Sequence, residues 1–331
     1  ASDKFNILEY FKNIDSDFSK KIHSCNINDV NLFKESYSLN HRTRAFLKVQ
    51  DGCDYKCSFC TIPLARGKSR SNTISNVINN VHKIASENIK EIVLTGINLG
   101  DFGANSNDSI QYNFFDLVKE LDKLDISVRF RISSIEPNLL TDEIIEFIST
   151  SKSFVHHFHI PLQSGSDSVL KLMRRRYDSK LYNSRIKMIN QLMPDACIGV
   201  DVIVGFPGED DDKFLESMSF IEDLDISYLH VFKYSERDNT HAITLSNIVN
   251  PKIRSKRSKL LRLLSSRKKA RFYNKNIGTT HQVLFESEDK NGFIEGFSSN
   301  YVRFRKKWDS SLAGRIVESK FTEIDSEGFA I

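Results

Sequence analysis

From Arg44 to Phe232 the chain alternates between two rhythms. Short, nearly continuous apolar runs (AFLKVQ, EIVLTG, VRFRIS, FVHHFHI, CIGVDVIVG and YLHVF) are separated by stretches such as TISNVINNVHKIASENI and DDKFLESMSFIEDL. In the stretches, apolar residues recur three and four apart, the period of an amphipathic helix, whereas continuous apolar runs suit strands buried on both faces. Six such units predict an α/β fold with a parallel sheet. Right-handed crossovers would curl it into a partial six-stranded (β/α)6 barrel, with functional side chains at the strand C-terminal ends. Beyond residue 275 the rhythm shortens to HQVLFES, GFIEGF, YVRFRK, GRIVESKF and EGFAI, joined by Gly, Asn, Ser and Asp. That pattern predicts a small all-β, OB-like module. The expected segments are a barrel over 42–245, a helical connector over 246–275 and the β module over 276–331.

Composition adds limits. With 331 residues and 40% hydrophobic content the chain can bury sizeable cores. Its first thirty residues are polar, and no run of eighteen apolar residues occurs, so the sequence reads as cytoplasmic with no membrane partner. Five cysteines, three of them clustered, suit a reducing compartment and a metal better than a disulfide framework. The net charge of +4 is unevenly placed: residues 251–275 carry eleven Lys and Arg and no acid. Such a run neutralises phosphates or simply solvates a helix face. Arg267, Lys268, Lys269 and Arg271 are its candidates for RNA contact. In the β module Arg303, Arg305, Lys306 and Lys307 interleave with Tyr301, Phe304 and Trp308, which offers base stacking beside phosphate neutralisation.

The chemistry concentrates in CDYKCSFC, which places Cys53, Cys57 and Cys60 within eight positions after the first strand and the turn Asp51-Gly52. Three thiolates on one loop can cap three irons of a cubane cluster, leaving the fourth without a protein ligand. Structural zinc or unligated thiols is the alternative, although zinc usually takes a second distant pair and none is present. The nearby GKS at 67–69 is no phosphate loop, because Ile62 stands where that motif needs Gly. Polar residues follow the other strands: Thr95, Gly96 and Asn98 the second, Ser134 and Glu136 the third, Gln163 and Ser164 the fourth, and Gly205 to Glu209 the fifth. At Gly96 a ligand can approach the backbone. His157 and His159 share one face of a strand and His156 the other, so the three do not converge. Cys25 and Cys197 stand alone.

C-x3-C-x2-C after the first strand resembles the radical S-adenosylmethionine superfamily. QDGCDYKCSFCTIPLARGKSRS, EIVLTGINLGDFG, RISSIEP, HFHIPLQSGSDSVLKLMRRRY and IGVDVIVGFPGE resemble its methylthiotransferases. SSIEP and HIPLQSGSD are most similar to the tRNA enzymes acting on threonylcarbamoyladenosine; enzymes for isopentenyladenosine tRNA or a ribosomal protein are the near alternatives, and a non-catalytic RNA-binding protein with a structural metal the distant one. The terminal module resembles a TRAM domain, which binds RNA. The resemblance implies a 4Fe-4S cluster on Cys53, Cys57 and Cys60, with S-adenosyl-L-methionine completing the fourth iron. One electron then cleaves the sulfonium to methionine and a deoxyadenosyl radical, and a second cofactor molecule supplies the methyl group. Thr95 to Asn98 would hold the methionyl amine, Gln163 and Ser164 the ribose, and Arg175 the carboxylate. The partners implied are a tRNA anticodon stem-loop, modified at position 37 to its 2-methylthio derivative, and an electron donor such as flavodoxin or ferredoxin. The family carries a second cluster on three cysteines of an N-terminal domain. Only Cys25 precedes Cys53 here, so residues 1–41 read as the remnant of that domain and linker, and the chain is expected to cleave the cofactor without completing the transfer.

Overall fold

The computed structural model describes residues 8, 26–30, 32–38, 43–104 and 111–331. Segment 1–41 is thus described only in part, and Cys25 lies outside the described residues. A short edge strand β1 (Ser36–Tyr37) runs antiparallel to β2 (Arg44–Lys48), and the pair β3 (Gln50–Asp51) and β4 (Arg70–Ser71) brackets the cysteine loop. The other barrel strands are β5 (Glu91–Thr95), β6 (Arg129–Ile132), β7 (His157–His159), β8 (Cys197–Val204) and β9 (Tyr228–Lys233). Strands β2, β5 and β6 pair in parallel, as do β7, β8 and β9, and the bridge from Phe130 to Phe154 joins the two sets. All six expected strands are present in chain order. Among the described residues no ladder joins β9 to β2, so the barrel is open on that side.

Alternation decides which side chains face where. Ala45, Leu47 and Val49 are fully buried against Val77, Val81 and Ile84 of the helix Ile74–Ser86, whose N-cap Thr73 accepts the Asn76 N–H. Phe46 points the other way, into the barrel, where Arg131, His157, His159 and His230 also face. Continuous apolar runs in the sequence therefore hide a polar inner face.

The C-terminal module is an antiparallel sheet of β10 (Thr280–Phe285), β11 (Phe293–Ser298), β12 (Arg303–Lys307) and β13 (Ile316–Lys320), in the order β12-β11-β10-β13. The fifth run, EGFAI, forms no strand and makes only isolated bridges from Ala330. The Asp325 carboxylate accepts the backbone N–H groups of Glu327 and Phe329, which curls the segment into a turn and removes donors a ladder would use. Phe304, expected to stack on bases, is fully buried in this module's core with Phe285 and Phe321.

The basic run folds as one helix, Pro251–Asn276, begun by Asn250, whose side chain accepts the Lys252 N–H. It does not present all its charge to solvent. Arg254 binds the carbonyls of Val249 and Tyr234, and Arg257 pairs with Glu209 and Asp211. Lys268 is buried and donates to the carbonyls of Glu222 and Leu224 at the end of the helix Asp211–Asp223. Its role is to satisfy helix-terminal carbonyls, which corrects the expectation that it contacts RNA.

Candidate active site at the strand ends

The cysteine loop is fixed at both ends. Gly52 adopts φ +73°, and a Cβ there would lie 2.0 Å from the Lys68 carbonyl oxygen, so only glycine closes this turn. The Cys53 N–H then donates to the Gly67 carbonyl, and Ser58 bonds the Leu172 and Met173 carbonyls through its hydroxyl and N–H. The three half-buried thiols receive donors: the Tyr55 N–H reaches Cys53 Sγ at 3.4 Å, the Ile62 N–H reaches Cys60 Sγ at 3.4 Å, and Arg175 Nη1 reaches Cys57 Sγ at 3.0 Å. Burial pushes the Cys53 thiol up to about 12 and the Cys57 thiol up as well, against the pull of Arg175 on the latter. Three N–H groups on three sulfurs are what cluster thiolates accept, and a bound cation would reverse the burial penalty, so the donor set fits an iron–sulfur cluster.

Arg175 is the hub beside this loop. Its side chain is 4% exposed and bonds Glu136, Tyr177 Oη at 3.0 Å and Cys57 at once. The fork expected to meet a cofactor carboxylate is here bonded to a carboxylate of the chain. Tyr177 in turn donates to the carbonyls of Pro161 and Leu162 at 2.8 Å, tying the hub to the exit of β7.

The glycine expected to admit a ligand is instead approached from within the protein. A Cβ on Gly96 would lie 2.9 Å from Gln50 Oε1, which accepts the N–H groups of Ile97 and Asn98 at 2.9 Å each. Gln50 Nε2 donates to the Gly52 carbonyl at 2.8 Å and to Ser69 Oγ at 2.9 Å. One fully buried amide therefore sews the loop after β5 to the cysteine loop. Sequence reasoning missed it, although a Gln ending the apolar run AFLKVQ was the available signal. Asn98 is 3% exposed and donates to Asp101 Oδ2 at 2.6 Å, leaving its own Oδ1 buried and unpartnered. Thr95 lies half-buried at the end of β5.

At the exit of β7, Gln163 has φ +68° and bridges to β8, its N–H on the Asp201 carbonyl and its carbonyl on the Ile203 N–H. It borders a hollow of about 260 Å³ shared with Phe59, Asp201 and Tyr234. Ser164 is 1% exposed and its hydroxyl accepts the Ser166 N–H, so it belongs to the turn and not to an open ribose contact. At the exit of β8, Glu209 accepts from the Gly205 N–H and Arg257, while burial raises it to about 6.

Inside the barrel, His156 does point away, to Asp195, and His157 and His159 share the inner face. Register brings His159, Asp201 and His230 together, with His159 Nε2 3.0 Å from Asp201 Oδ2. His159 and His230 border a cavity of about 560 Å³ that begins near Ser134 and runs to the connector helix and the C-terminal sheet, while Asp201 borders the smaller hollow beside Gln163. At the opposite mouth, Glu91 is fully buried between Arg129 at 2.6 Å and Arg131 at 3.0 Å. Burial works to raise its pKa, but the two guanidinium groups win and hold it down at about 2. Arg129 also donates to the carbonyls of Gln282 and Phe297, docking the C-terminal sheet on the barrel.

The RNA candidates scatter. Arg267 and Arg271 are exposed on the connector helix, Lys269 faces the cavity, and Lys307 is exposed on β12. Arg303 pairs with Glu295, Lys306 donates to Ser319, and Arg305 is held by Glu295, Asp325 and Glu327 while stacked on Phe329. Arg305 thus already has three carboxylate partners, one of them shared with Lys290 and Arg303.

Comparison with known proteins agrees with this geometry. A model of the radical SAM superfamily matches residues 47–221. A threonylcarbamoyladenosine tRNA methylthiotransferase, MtaB, of Bacillus subtilis (strain 168) is 39% identical over 285 residues, covering 84% of this chain and 62% of that protein. The protein of the same name from Rickettsia prowazekii (strain Madrid E) is 34% identical over 297 residues, 87% of this chain and 70% of its own length. A tRNA-2-methylthio-N(6)-dimethylallyladenosine synthase of Bacillus pumilus (strain SAFR-032) is 34% identical over 284 residues, 85% of this chain and 56% of that protein. The chain thus spans about three fifths of the length of the first of these relatives. Among the described residues, no helix is long and apolar enough to cross a membrane.

Proposed function

The chain belongs to the radical SAM superfamily and, within it, to the methylthiotransferases, and from that premise we propose that it forms the radical-generating part of an enzyme that methylthiolates N6-threonylcarbamoyladenosine at position 37 of tRNA. The observation that carries the proposal is the cysteine loop, three thiols each receiving an N–H or guanidinium donor at the strand ends. The cofactors are those of the family, a 4Fe-4S cluster and S-adenosyl-L-methionine. Cys53, Cys57 and Cys60 would hold the cluster, which when bound with S-adenosylmethionine supplies a carbon radical for hydrogen abstraction. Arg175 keeps positive charge on the Cys57 sulfur, and Gln50 holds the two flanking loops at a fixed separation. The C-terminal sheet serves as a TRAM-type RNA-binding domain, with Arg267, Arg271 and Lys307 exposed for phosphates.

The threonylcarbamoyl substrate is favoured over the dimethylallyl one by the 39% identity to an enzyme named for the former, against 34% for the latter. The cationic walls of the cavity point the same way, since only the former substituent is an anion. The test is mass spectrometry of tRNA carrying threonylcarbamoyladenosine after anaerobic incubation with the reconstituted protein, reductant, sulfide and cofactor, with deoxyadenosine measured in parallel. Deoxyadenosine formation that needs all three cysteines, with tRNA gaining a methylthio group when the remaining length of the relatives is joined to this chain, is the expected result. Absence of deoxyadenosine from a cluster-loaded protein would refute it.

A further inference from the structure

The larger cavity has an unusual charge balance. Among the described residues that line it there is no Asp or Glu, yet four cations border it: Arg44 and Arg131 from the barrel, Lys269 from the connector helix and Arg303 from the C-terminal sheet. Their carboxylate partners are shared out. Glu286 serves Lys290 as well as Arg44. Glu91 serves Arg129 as well as Arg131, and Glu295 serves Lys290 and Arg305 as well as Arg303. The charges acting on Lys269 do not include a carboxylate, and burial together with Arg303 pushes its pKa down. Positive charge left over at a partly closed site is costly until an anion arrives.

Two further polar atoms lack partners. Arg131 Nη1 and His157 Nδ1 are buried without a hydrogen bond, and both residues line the cavity. The remaining wall is aromatic: Tyr301 stacks on Phe297 at 4.8 Å and lies 4.3 Å from the His157 ring, with Arg131 over Tyr301 at 4.6 Å and Arg44 over Phe297 at 4.7 Å. Stacked rings and guanidinium planes suit a flat base, and about 560 Å³ accommodates a nucleoside with a substituent.

Resting on the tRNA reading above, we propose that this cavity seats the modified adenine and that Arg131, Lys269 and Arg303 hold the carboxylate of its N6 substituent, making them the residues that favour a carboxylated base over an alkylated one. A backbone phosphate is the other oxyanion available, and the experiment separates the two. Anticodon stem-loops bearing N6-threonylcarbamoyladenosine or its methyl ester, identical in phosphates, are titrated at one salt concentration onto the full chain by fluorescence anisotropy. The acid is expected to bind roughly tenfold more tightly than the ester. Lys269→Gln and Arg303→Gln should each shrink that ratio toward one. The ester comparison uses the unaltered protein, so it stands even if a variant folds poorly. Equal affinity for acid and ester overturns the inference and leaves the tRNA reading intact. A ratio that persists in both variants overturns the residue assignment. Binding of neither stem-loop overturns the inference and the tRNA reading together.

Discussion

At the strand C-terminal end Glu136 holds one arginine, Arg175, which has a nitrogen left for the Cys57 sulfur. At the opposite end Glu91 holds two, and the outer one, Arg129, gives its remaining nitrogens to carbonyls of the C-terminal sheet. Both are carboxylate–guanidinium clusters, one on loops that follow the strands and one on the strands themselves. They differ in what the last donor meets, and that decides the role. A guanidinium that ends on a thiol at the open end tunes a ligand site, whereas one that ends on neighbouring backbone locks two domains together. Exposure follows: the Glu91 side chain is 0% exposed, the Glu136 side chain 16%.

The largest expected effect breaks the comparison at the open end. Replacing Cys53, Cys57 and Cys60 together by Ala should abolish bound iron and deoxyadenosine formation, as measured by iron content and chromatography after anaerobic reconstitution. The metal-free variant should unfold within about 1 kcal/mol of the metal-free wild type, because the thiols sit on a partly exposed loop. Iron retained at the native level would mean that the cluster lies elsewhere.

The closed end should break differently. Glu91→Gln leaves Arg129 and Arg131 buried with an uncompensated charge, a loss of about 3–5 kcal/mol read from the denaturant midpoint, with iron binding retained. The pH dependence gives an internal check. The carboxyl is depressed from its ordinary 4.5 to about 2 in the folded chain, so its stabilisation is complete above pH 4.5 and is lost as pH falls toward 2. The gap between wild type and variant should therefore narrow over that window. A constant gap would assign the loss to shape and not to charge.

A finer cut returns to Arg175. Lysine keeps the positive charge but cannot reach Glu136, Tyr177 and Cys57 together. Arg175→Lys should retain iron, shift the reduction potential of the cluster, and slow cofactor cleavage about 10- to 100-fold. An unchanged potential with lowered thermal stability would make the residue a structural brace only.

Much of the open end was legible in the sequence, and little of the closed end. The three cysteines are adjacent in the chain, so their convergence is local, and the six strands follow from period alone. Glu91, Arg129 and Arg131 sit inside runs that scan as apolar, and their meeting depends on the register Glu91↔Arg129 and on a domain whose carbonyls lie 153 and 168 residues further along the chain from Arg129. Gln50 was missed for a related reason: its partners, Gly52, Ser69, Ile97 and Asn98, come from two loops that the chain pattern does not bring together. Lys268 and Phe304 were misplaced because a charge run and an aromatic between cations look the same whether they face solvent or a core. Burial at those positions is set by helix phase against β9 and by the second sheet's closure over Phe321, which no local pattern records.

The smallest expected effect uses that misplacement to separate charge that binds RNA from charge that holds the fold. Arg267 and Arg271 are one helical turn apart and exposed, and among the described residues Arg267 pairs with Glu222 at 3.6 Å, an exposed pair of little strength. Changing both to Gln should leave stability within about 0.5 kcal/mol and lower the slope of log affinity for a stem-loop against log salt by roughly 1 to 2, one released counterion or slightly less per contact. Lys268→Gln, one residue from Arg267, should do the reverse. It strips the donor from the Glu222 and Leu224 carbonyls, lowers stability by about 1–3 kcal/mol, and leaves the salt slope unchanged. Salt titrations of the two variants, read beside their denaturant curves, therefore cross over if the helix has one face for nucleic acid and one for the barrel. If Lys268→Gln lowers the slope as much as the double variant does, the helix acts as an undivided cloud of charge, and the burial of Lys268 has no bearing on binding.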